Sequence, residues 1–254
     1  LLEREYLVTT LRKVEGSQRM WKMQENFVAT VSHDLRTPLG FIKGYTTTLL
    51  REDTDWDVPT YREFLGIIDD EADRLQELID NLLDSSRLQS GTMQMNLQIV
   101  QLDVLLRDMV QRANLSDLDV NIELEIANQE VVVKADPMRL GQVFDNLLSN
   151  ASKYAPGSRV LVRLAEEDSQ ASIMVADDGP GISKEHLEKI FQRFYRVPET
   201  RMSKRGSGLG LYICRQIVLA HHGQIQANSS PGKGSTFTIT LPLLTEDHPE
   251  AAAD

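Results

Sequence analysis

Cysteine is almost absent from this 254-residue chain: Cys214 stands alone, which excludes an intrachain disulfide framework and a thiolate-rich zinc site and fits a reducing compartment. Long apolar runs are missing as well. No stretch approaches the roughly 20 residues of a membrane span, and no short apolar core with a cleavage site stands at the start, so direct membrane contact is not expected. Positive charge is scarce. Lys+Arg 27 against Asp+Glu 38 leaves a net charge of −11, which opposes steering toward nucleic-acid phosphates or an anionic bilayer, and no nucleic-acid partner is expected. Familiar catalytic signatures are lacking too. Gly232-Lys233-Gly234 has no Ser or Thr after its lysine, as a P-loop requires, and no G-x-G-x-x-G follows a strand pattern. None of His33, His186, His221, His222 and His248 stands in an H-E-x-x-H arrangement. Ser32-His33-Asp34 cannot act as a triad, because neighbours on a helix point about 100° apart. What is present is 41% hydrophobic content, enough for one large domain or two modest ones. The chain begins Leu1-Leu2-Glu3 inside a helical pattern, so a cytoplasmic piece of a longer protein is expected, with membrane anchoring of the parent left open.

Leu7, Val14, Trp21, Val28, Leu35 and Ile42 recur every seven residues, the pattern of a long amphipathic helix with coiled-coil character. Polar Gln18 and Glu25 interrupt the seam. A second helical pattern opens at Pro59, carries Phe64, Ile67, Ile68, Leu75, Leu78, Ile79 and Leu82 at 3–4 spacing, and ends near Ser90-Gly91. One such hairpin cannot cover its own apolar faces, whereas two close into a four-helix bundle, so a homodimer is expected.

Beyond Gly91, Val120, Ile122, Leu124 and Ile126 alternate with polar residues, the period of a half-buried strand. Further strands are expected at Met93 to Val100, Val131 to Lys134, Arg159 to Leu164, Ala171 to Ala176, Gln224 to Ser229 and Ser235 to Leu241. Helical patterns fall at Leu102 to Arg112, Pro137 to Lys153 and Leu209 to His221. The mixture predicts an α+β sandwich with helices on one face of a sheet. The glycine-bounded stretch from Gly179 to Gly208 has little strand pattern and reads as a lid. Residues 246–254 read as a disordered tail.

Five motifs follow in a fixed order. Val31-Ser32-His33-Asp34-Leu35-Arg36-Thr37-Pro38-Leu39 comes first. Asn146-Leu147-Leu148-Ser149-Asn150-Ala151-Ser152-Lys153-Tyr154 and Asp177-Asp178-Gly179-Pro180-Gly181 come next, followed by Phe191-Gln192-Arg193-Phe194-Tyr195 and Gly206-Ser207-Gly208-Leu209-Gly210-Leu211. Together, over roughly residues 20 to 243, they resemble the sensor histidine kinases of two-component systems. The resemblance implies a multi-domain chain: a signal-transmitting coiled-coil helix (1–19), an all-α hairpin for dimerisation and histidine phosphotransfer (20–91), and an α+β ATP-binding sandwich (92–245).

The residues agree with that resemblance. Asn146 and Asn150 are four apart on one helix face, where an amide oxygen can bind a hard cation and an amide nitrogen can donate to phosphate. The resemblance makes Asn150 the Mg²⁺ ligand, with Asn146 beside it and Lys153 and Tyr154 toward ATP. By the same resemblance Asp177 reads the adenine amino group, beside Gly179 and Gly181 in a segment that also suits an ordinary turn. Gly206, Ser207, Gly208, Leu209 and Gly210 would present backbone N–H groups and a helix N-terminus to phosphates. Arg193, Arg196, Arg201, Lys204 and Arg205 face only Glu199 in the lid, and the family motif favours Arg193 for the γ-phosphate. Gly232, Gly234 and Thr236 resemble a last glycine motif, with a turn before the final strand as an equally good account.

His33 should face outward from Val31 and Leu35, attack the γ-phosphorus of ATP in line, and be served by Asp34 at its other ring nitrogen. Pro38 removes a backbone donor five residues later and should kink the helix. Kinases with an acid one residue and a threonine four residues after the histidine imply that Thr37 serves dephosphorylation of the regulator; filling the turn before Pro38 is the alternative. Two other readings compete. One is the wider superfamily of gyrase-type and chaperone-type ATPases, disfavoured by the helical His33 segment. The other is a silent dimeric scaffold, disfavoured by the intact motif residues. The expected partner is a response-regulator receiver domain.

Overall fold

The computed structural model describes residues 31–90, 92–116, 118–128, 130–167, 169–198 and 206–244. The expected coiled coil over 1–19, the tail over 246–254 and the lid residues Glu199, Arg201, Lys204 and Arg205 lie outside the described residues. The chain divides into two compact units between Leu82 and Leu83.

In the first unit, helix α1 (31–49 of the described residues) runs unbroken through Pro38. Its last turns carry Thr46, Thr47 and Thr48, whose hydroxyls donate to the carbonyls of Ile42, Lys43 and Gly44. Such back-bonding competes with continued helix and prepares its end. Helix α2 (Val58–Gln89) starts where Asp57 Oδ1 accepts the Thr60 N–H at 2.8 Å, an N-cap that satisfies one orphan donor. The hairpin is closed by aromatic packing: Phe64 lies 5.1 Å from Tyr45 and 5.2 Å from Trp56, centroid to centroid.

The second unit begins within α2 and continues as β1 (Gln98–Gln101), α3 (Leu102–Asn114), β2 (Val120–Ile126), β3 (Val132–Ala135), α4 (Pro137–Tyr154), β4 (Ser158–Glu167) and β5 (Gln170–Asp177). It ends with α5 (Lys184–Leu187), α6 (Gly210–Ala220), β6 (Gln224–Ser229) and β7 (Ser235–Pro242). Five strands form a sheet in the order β2-β4-β5-β7-β6, with β2 and β4 parallel and the other pairs antiparallel. Strands β1 and β3 form a separate antiparallel ribbon. Val160, Val162 and Leu164 of β4, Ile173 and Val175 of β5, and Ile239 and Leu241 of β7 alternate with more exposed neighbours, so one face of the sheet is dry. Leu102 and Leu106 of α3, Leu140, Phe144 and Leu147 of α4, and Ile213 and Ile217 of α6 supply the opposing layer. The α+β sandwich expected from the sequence is present.

Most elements fall within three residues of their sequence-derived bounds. The first strand is the correction. Its pairing begins at Gln98 and not at Met93, because the Asn96 N–H goes to Asp136 Oδ2 at 2.9 Å instead of to a strand partner. Asp136 also caps α4 through Oδ1, which accepts from Met138 and Arg139, while Pro137 fills the first helical position. One capping carboxylate therefore starts the helix that carries the asparagine motif. Cys214 is buried in α6, and burial pushes its thiol up, so it behaves as a small core residue rather than a nucleophile.

Candidate active site

On α1 the imidazole of His33 is 81% exposed and its Nδ1 lies 3.3 Å from Asp34 Oδ1. Val31 and Leu35 are more enclosed, as the outward-facing expectation requires. A carboxylate beside Nδ1 favours the tautomer with the proton on Nδ1, which puts the lone pair on Nε2. Thr37 Oγ1 donates to the His33 carbonyl at 3.1 Å, so its proton is engaged in the helix while its oxygen can still accept.

The second unit holds the other motifs. Asn146 Nδ2 donates to the Gln142 carbonyl at 2.9 Å, which turns Oδ1 the other way, toward the glycine segment: a Cβ on Gly210 would stand 2.7 Å from that oxygen. One turn on, Asn150 is half-buried on the same face of α4. Lys153 reaches the same segment, with its Nζ 2.5 Å from where a Cβ on Gly206 would be and 5.3 Å from the Tyr154 ring centre. Burial raises the Tyr154 hydroxyl pKa, and the positive charge of Arg196 partly offsets it. Asn146 and Lys153 thus come together with Gly206 to Gly210, more than 50 residues further along the sequence, while Arg196 acts on the neighbouring Tyr154.

Asp177 ends β5. Burial raises its carboxyl pKa, opposed by the N–H groups of Gly179 and Ser235, and Oδ1 accepts from Gly179 at 2.9 Å. Two turns interlock around it. Gly234 N–H donates to the Gly179 carbonyl at 3.0 Å and Gly232 N–H to the Pro180 carbonyl at 2.7 Å, while Ser229 Oγ accepts from Ile182 and donates to the Gly234 carbonyl. Gly234 has φ +71, and a Cβ there would collide with the Asp177 carbonyl, so only glycine permits this approach. The Gly232–Gly234 motif is therefore a turn whose packing holds the Asp177 segment in place.

Arg193 has its guanidinium carbon 5.3 Å from the Phe194 ring centre and 5.5 Å from that of Tyr212, in the first turn of α6. Ser207 Oγ accepts the Leu209 N–H at 3.3 Å, and Leu209 itself is buried, an anchor for the helix start. Several contacts in this unit carry no sequence signal. Tyr195 Oη meets His186 Nδ1 at 2.6 Å; His221 Nε2 accepts the Asp136 N–H at 2.9 Å; Arg139 pairs with Asp84 at 2.8 Å. Each joins residues that periodicity does not relate.

A helix-borne histidine beside a carboxylate, followed by an α/β sandwich with an asparagine helix and a glycine segment, defines a phospho-acceptor unit joined to an ATPase unit. Family models match both parts. "His Kinase A (phospho-acceptor) domain" covers residues 23–91, and "Histidine kinase-, DNA gyrase B-, and HSP90-like ATPase" covers residues 135–245. The chain belongs to the sensor histidine kinases. It is 35% identical over 240 residues to sensor protein SrrB of Staphylococcus aureus, covering 93% of this chain and 41% of that protein. Among solved structures, it is 31% identical to the mycobacterial sensor histidine kinase MprB, covering 58% of this chain and 97% of that one with a TM-score of 0.50. The fold is also that of histidine kinase ThkA, solved in complex with response regulator protein TrrA: 24% identity, 91% of this chain, 65% of that one, TM-score 0.67. The chain thus spans well under half the length of the curated relative. No helix among the described residues is long and apolar enough to cross a membrane.

Proposed function

We propose that this chain uses ATP to phosphorylate His33 and passes the phosphoryl group to an aspartate of a response-regulator receiver domain. The carrying observation is the exposed His33 imidazole with Asp34 at Nδ1, which leaves Nε2 as the nucleophile. In the step, the Nε2 lone pair forms a bond to the γ-phosphorus, the bond from that phosphorus to the β–γ bridging oxygen breaks, and ADP departs. The Nδ1 proton is held by Asp34. Phosphotransfer to the regulator reverses the roles, with a carboxylate oxygen replacing Nε2 on phosphorus. ThkA, with its regulator in the same crystal, supports that partner.

ATP belongs in the second unit, with adenine at Asp177 and the phosphates at Gly206 to Gly210, Lys153 and Arg193. Ser207 and the N-terminus of α6 donate to the phosphates, and Tyr154 borders them. The residues fit a magnesium ion: the Asn146 Oδ1 orientation and the neighbouring Asn150 offer neutral, hard oxygen donors of the kind that share an ion with phosphates. Asn150 would be its protein ligand, with Asn146 adjacent, and the ion would neutralise phosphate charge. Domain limits of 20–91 and 92–245, and assembly as a homodimer through the hairpin, complete the reading. Leu39, Leu50, Val58, Tyr61, Leu65 and Ile79 are exposed in the single chain, in support of a partner copy.

Incubation with γ-labelled ATP and Mg²⁺ is the test. An acid-labile, alkali-stable phosphoramidate should form, vanish in His33→Gln and leave ATP affinity nearly unchanged; label retained in His33→Gln overturns the assignment. Phosphatase activity toward the regulator rests on Thr37, whose oxygen can accept from a water while its proton stays in the helix. Thr37→Ser should keep that activity, Thr37→Ala should lose it with autophosphorylation largely intact, and Asp34→Asn should do the reverse. Equal loss of both activities in Thr37→Ala would assign the residue to the turn alone.

A further inference from the structure

The dry face of the sheet ends in a polar row. Asp177 at the end of β5 pairs with Ser235 at the start of β7, and Ser235 pairs with Ser229 at the end of β6. Side chains two residues apart on a strand share a face, so these three stand on the face that carries Val175, Phe237 and Ala227 one row below. Ser229 Oγ is 3.2 Å from Ser235 Oγ, as that placement requires. The same oxygen accepts the Ile182 N–H at 2.7 Å and donates to the Gly234 carbonyl at 2.6 Å. One hydroxyl therefore serves both turns around Asp177 at once. Gly181 and Gly234 in those turns sit at φ +73 and +71, so close to the Ser230 and Asp177 carbonyls that neither has room for a Cβ. Glycine backbone is free to move away from such a placement, and hydrogen bonds must hold it. The Asp177 carboxylate depends on the result. Its Oδ1 accepts from Gly179, the Ser235 N–H also donates to it, and both donors favour the charged form against burial.

We propose that Ser229 is a positioning residue for adenine: its hydroxyl holds the turns at 179–182 and 232–234 so that the Asp177 carboxylate keeps one direction open to the amino group of the base. The inference rests on the reading of Asp177 given above. Without the hydroxyl, the Ile182 N–H and the Gly234 carbonyl lose a partner and must turn toward water. Gly179 moves with them, because its carbonyl accepts from Gly234 while its N–H holds Asp177 Oδ1. The carboxylate is then free to rotate, and recognition of the amino group weakens. The residues assigned to the phosphates lie on other elements and keep their places.

The test uses the full chain and two nucleotides, ADP and purine riboside diphosphate, which is ADP without the amino group. A carboxylate that accepts from that group should make the unaltered protein bind ADP roughly ten- to a hundredfold more tightly than the analogue. Ser229→Ala should weaken ADP binding roughly tenfold, leave analogue binding within about twofold, and so erase most of the preference. KM for ATP should rise with the loss of ADP affinity, while kcat at saturating ATP stays within about twofold, since the adenine end takes no part in transfer. In an Asp177→Ala background, Ser229→Ala should add nothing further. Ser229→Cys returns a weak donor and acceptor at the same position; it should keep an intermediate preference, and it serves where Ser229→Ala does not fold. Equal weakening of ADP and analogue would mean a general structural role and overturn the proposal. A preference unchanged in Ser229→Ala, or a further loss in the Asp177→Ala background, would overturn it too. If Asp177→Ala erases the preference and Ser229→Ala does not, the positioning role alone is wrong; if Asp177→Ala leaves it intact, the adenine reading of Asp177 falls and takes this proposal with it.

Discussion

The helical hairpin and the ATPase unit solve the problem of burial differently. Among the described residues, every buried aliphatic or aromatic side chain except Pro38 lies between Val100 and Leu241. The hairpin has instead a row of exposed apolar residues and one aromatic cluster at its turn. The ATPase unit thus buries a core of its own, while the hairpin leaves apolar residues exposed that the proposed partner copy would cover. Under that proposal the stability of the first is intramolecular and that of the second depends on protein concentration.

Truncation in the two regions should separate them. The largest effect belongs to Phe144→Ala, at a fully enclosed position of α4, which should destabilise the ATPase unit by about 3–5 kcal/mol in a denaturant titration, at any protein concentration. A smaller, conditional effect is expected at Leu65, 44% exposed on α2. Leu65→Ala should cost under about 1 kcal/mol within one chain, yet Leu65→Glu should shift the protein toward monomer in light scattering at micromolar concentration. A fragment of residues 92–254 should be monomeric and still bind ATP. Concentration-independent melting of the hairpin in the full chain would erase the distinction.

The smallest effect is a pH dependence confined to the ATPase unit. His221 is buried, and burial lowers its pKa below the ordinary histidine value, against the Ile217 carbonyl and Asp136, which favour the charged form. Its Nδ1 lies 2.8 Å from the Ile217 carbonyl, and Nε2 accepts from Asp136, so the neutral ring is the one that fits. The unfolded chain therefore takes up the proton first. The contribution of His221 is complete above the ordinary histidine pKa and is lost as pH falls below it. Thermal melting between pH 7.5 and 5.5 should show a decline for the ATPase unit that is reduced in His221→Asn; an unchanged slope in that variant would contradict the assignment.

The two regions also differed in how plainly they could be read. Alternation over 120–126 and the asparagine spacing 146–150 announce their faces because a strand and a helix repeat with fixed periods. The hairpin was legible from its 3–4 spacing and from the Asp57-Pro59 start. His186 and Tyr195 were not, since a four-residue helix and an irregular segment carry no period. Asp84 and Arg139 are 55 residues apart, and nothing in either neighbourhood marks their pairing. The start of β1 was misplaced for a related reason: Met93 to Leu97 has strand-like composition, but a side-chain cap on another element claims the Asn96 donor.

The parallel pairing of β2 with β4 has a kinetic consequence. Parallel neighbours cannot be joined by a tight turn, and here the connection runs through β3 and the whole of α4 before β4 returns beside β2, from Val120↔Ser158 to Ile126↔Leu164. Forming that pair means closing a long loop before its contacts repay the entropy, whereas the β4–β5 and β6–β7 pairs close over short connections. The helix bearing Asn146 and Asn150 is enclosed in the slow-closing segment. On a chain emerging from the ribosome, β2 must wait for β4 before its edge is covered. The proposed nucleotide pocket waits longer, because Gly206 to Gly210 and Gly234 arrive late, so under that proposal competence to hold ATP marks the completion of folding in this unit.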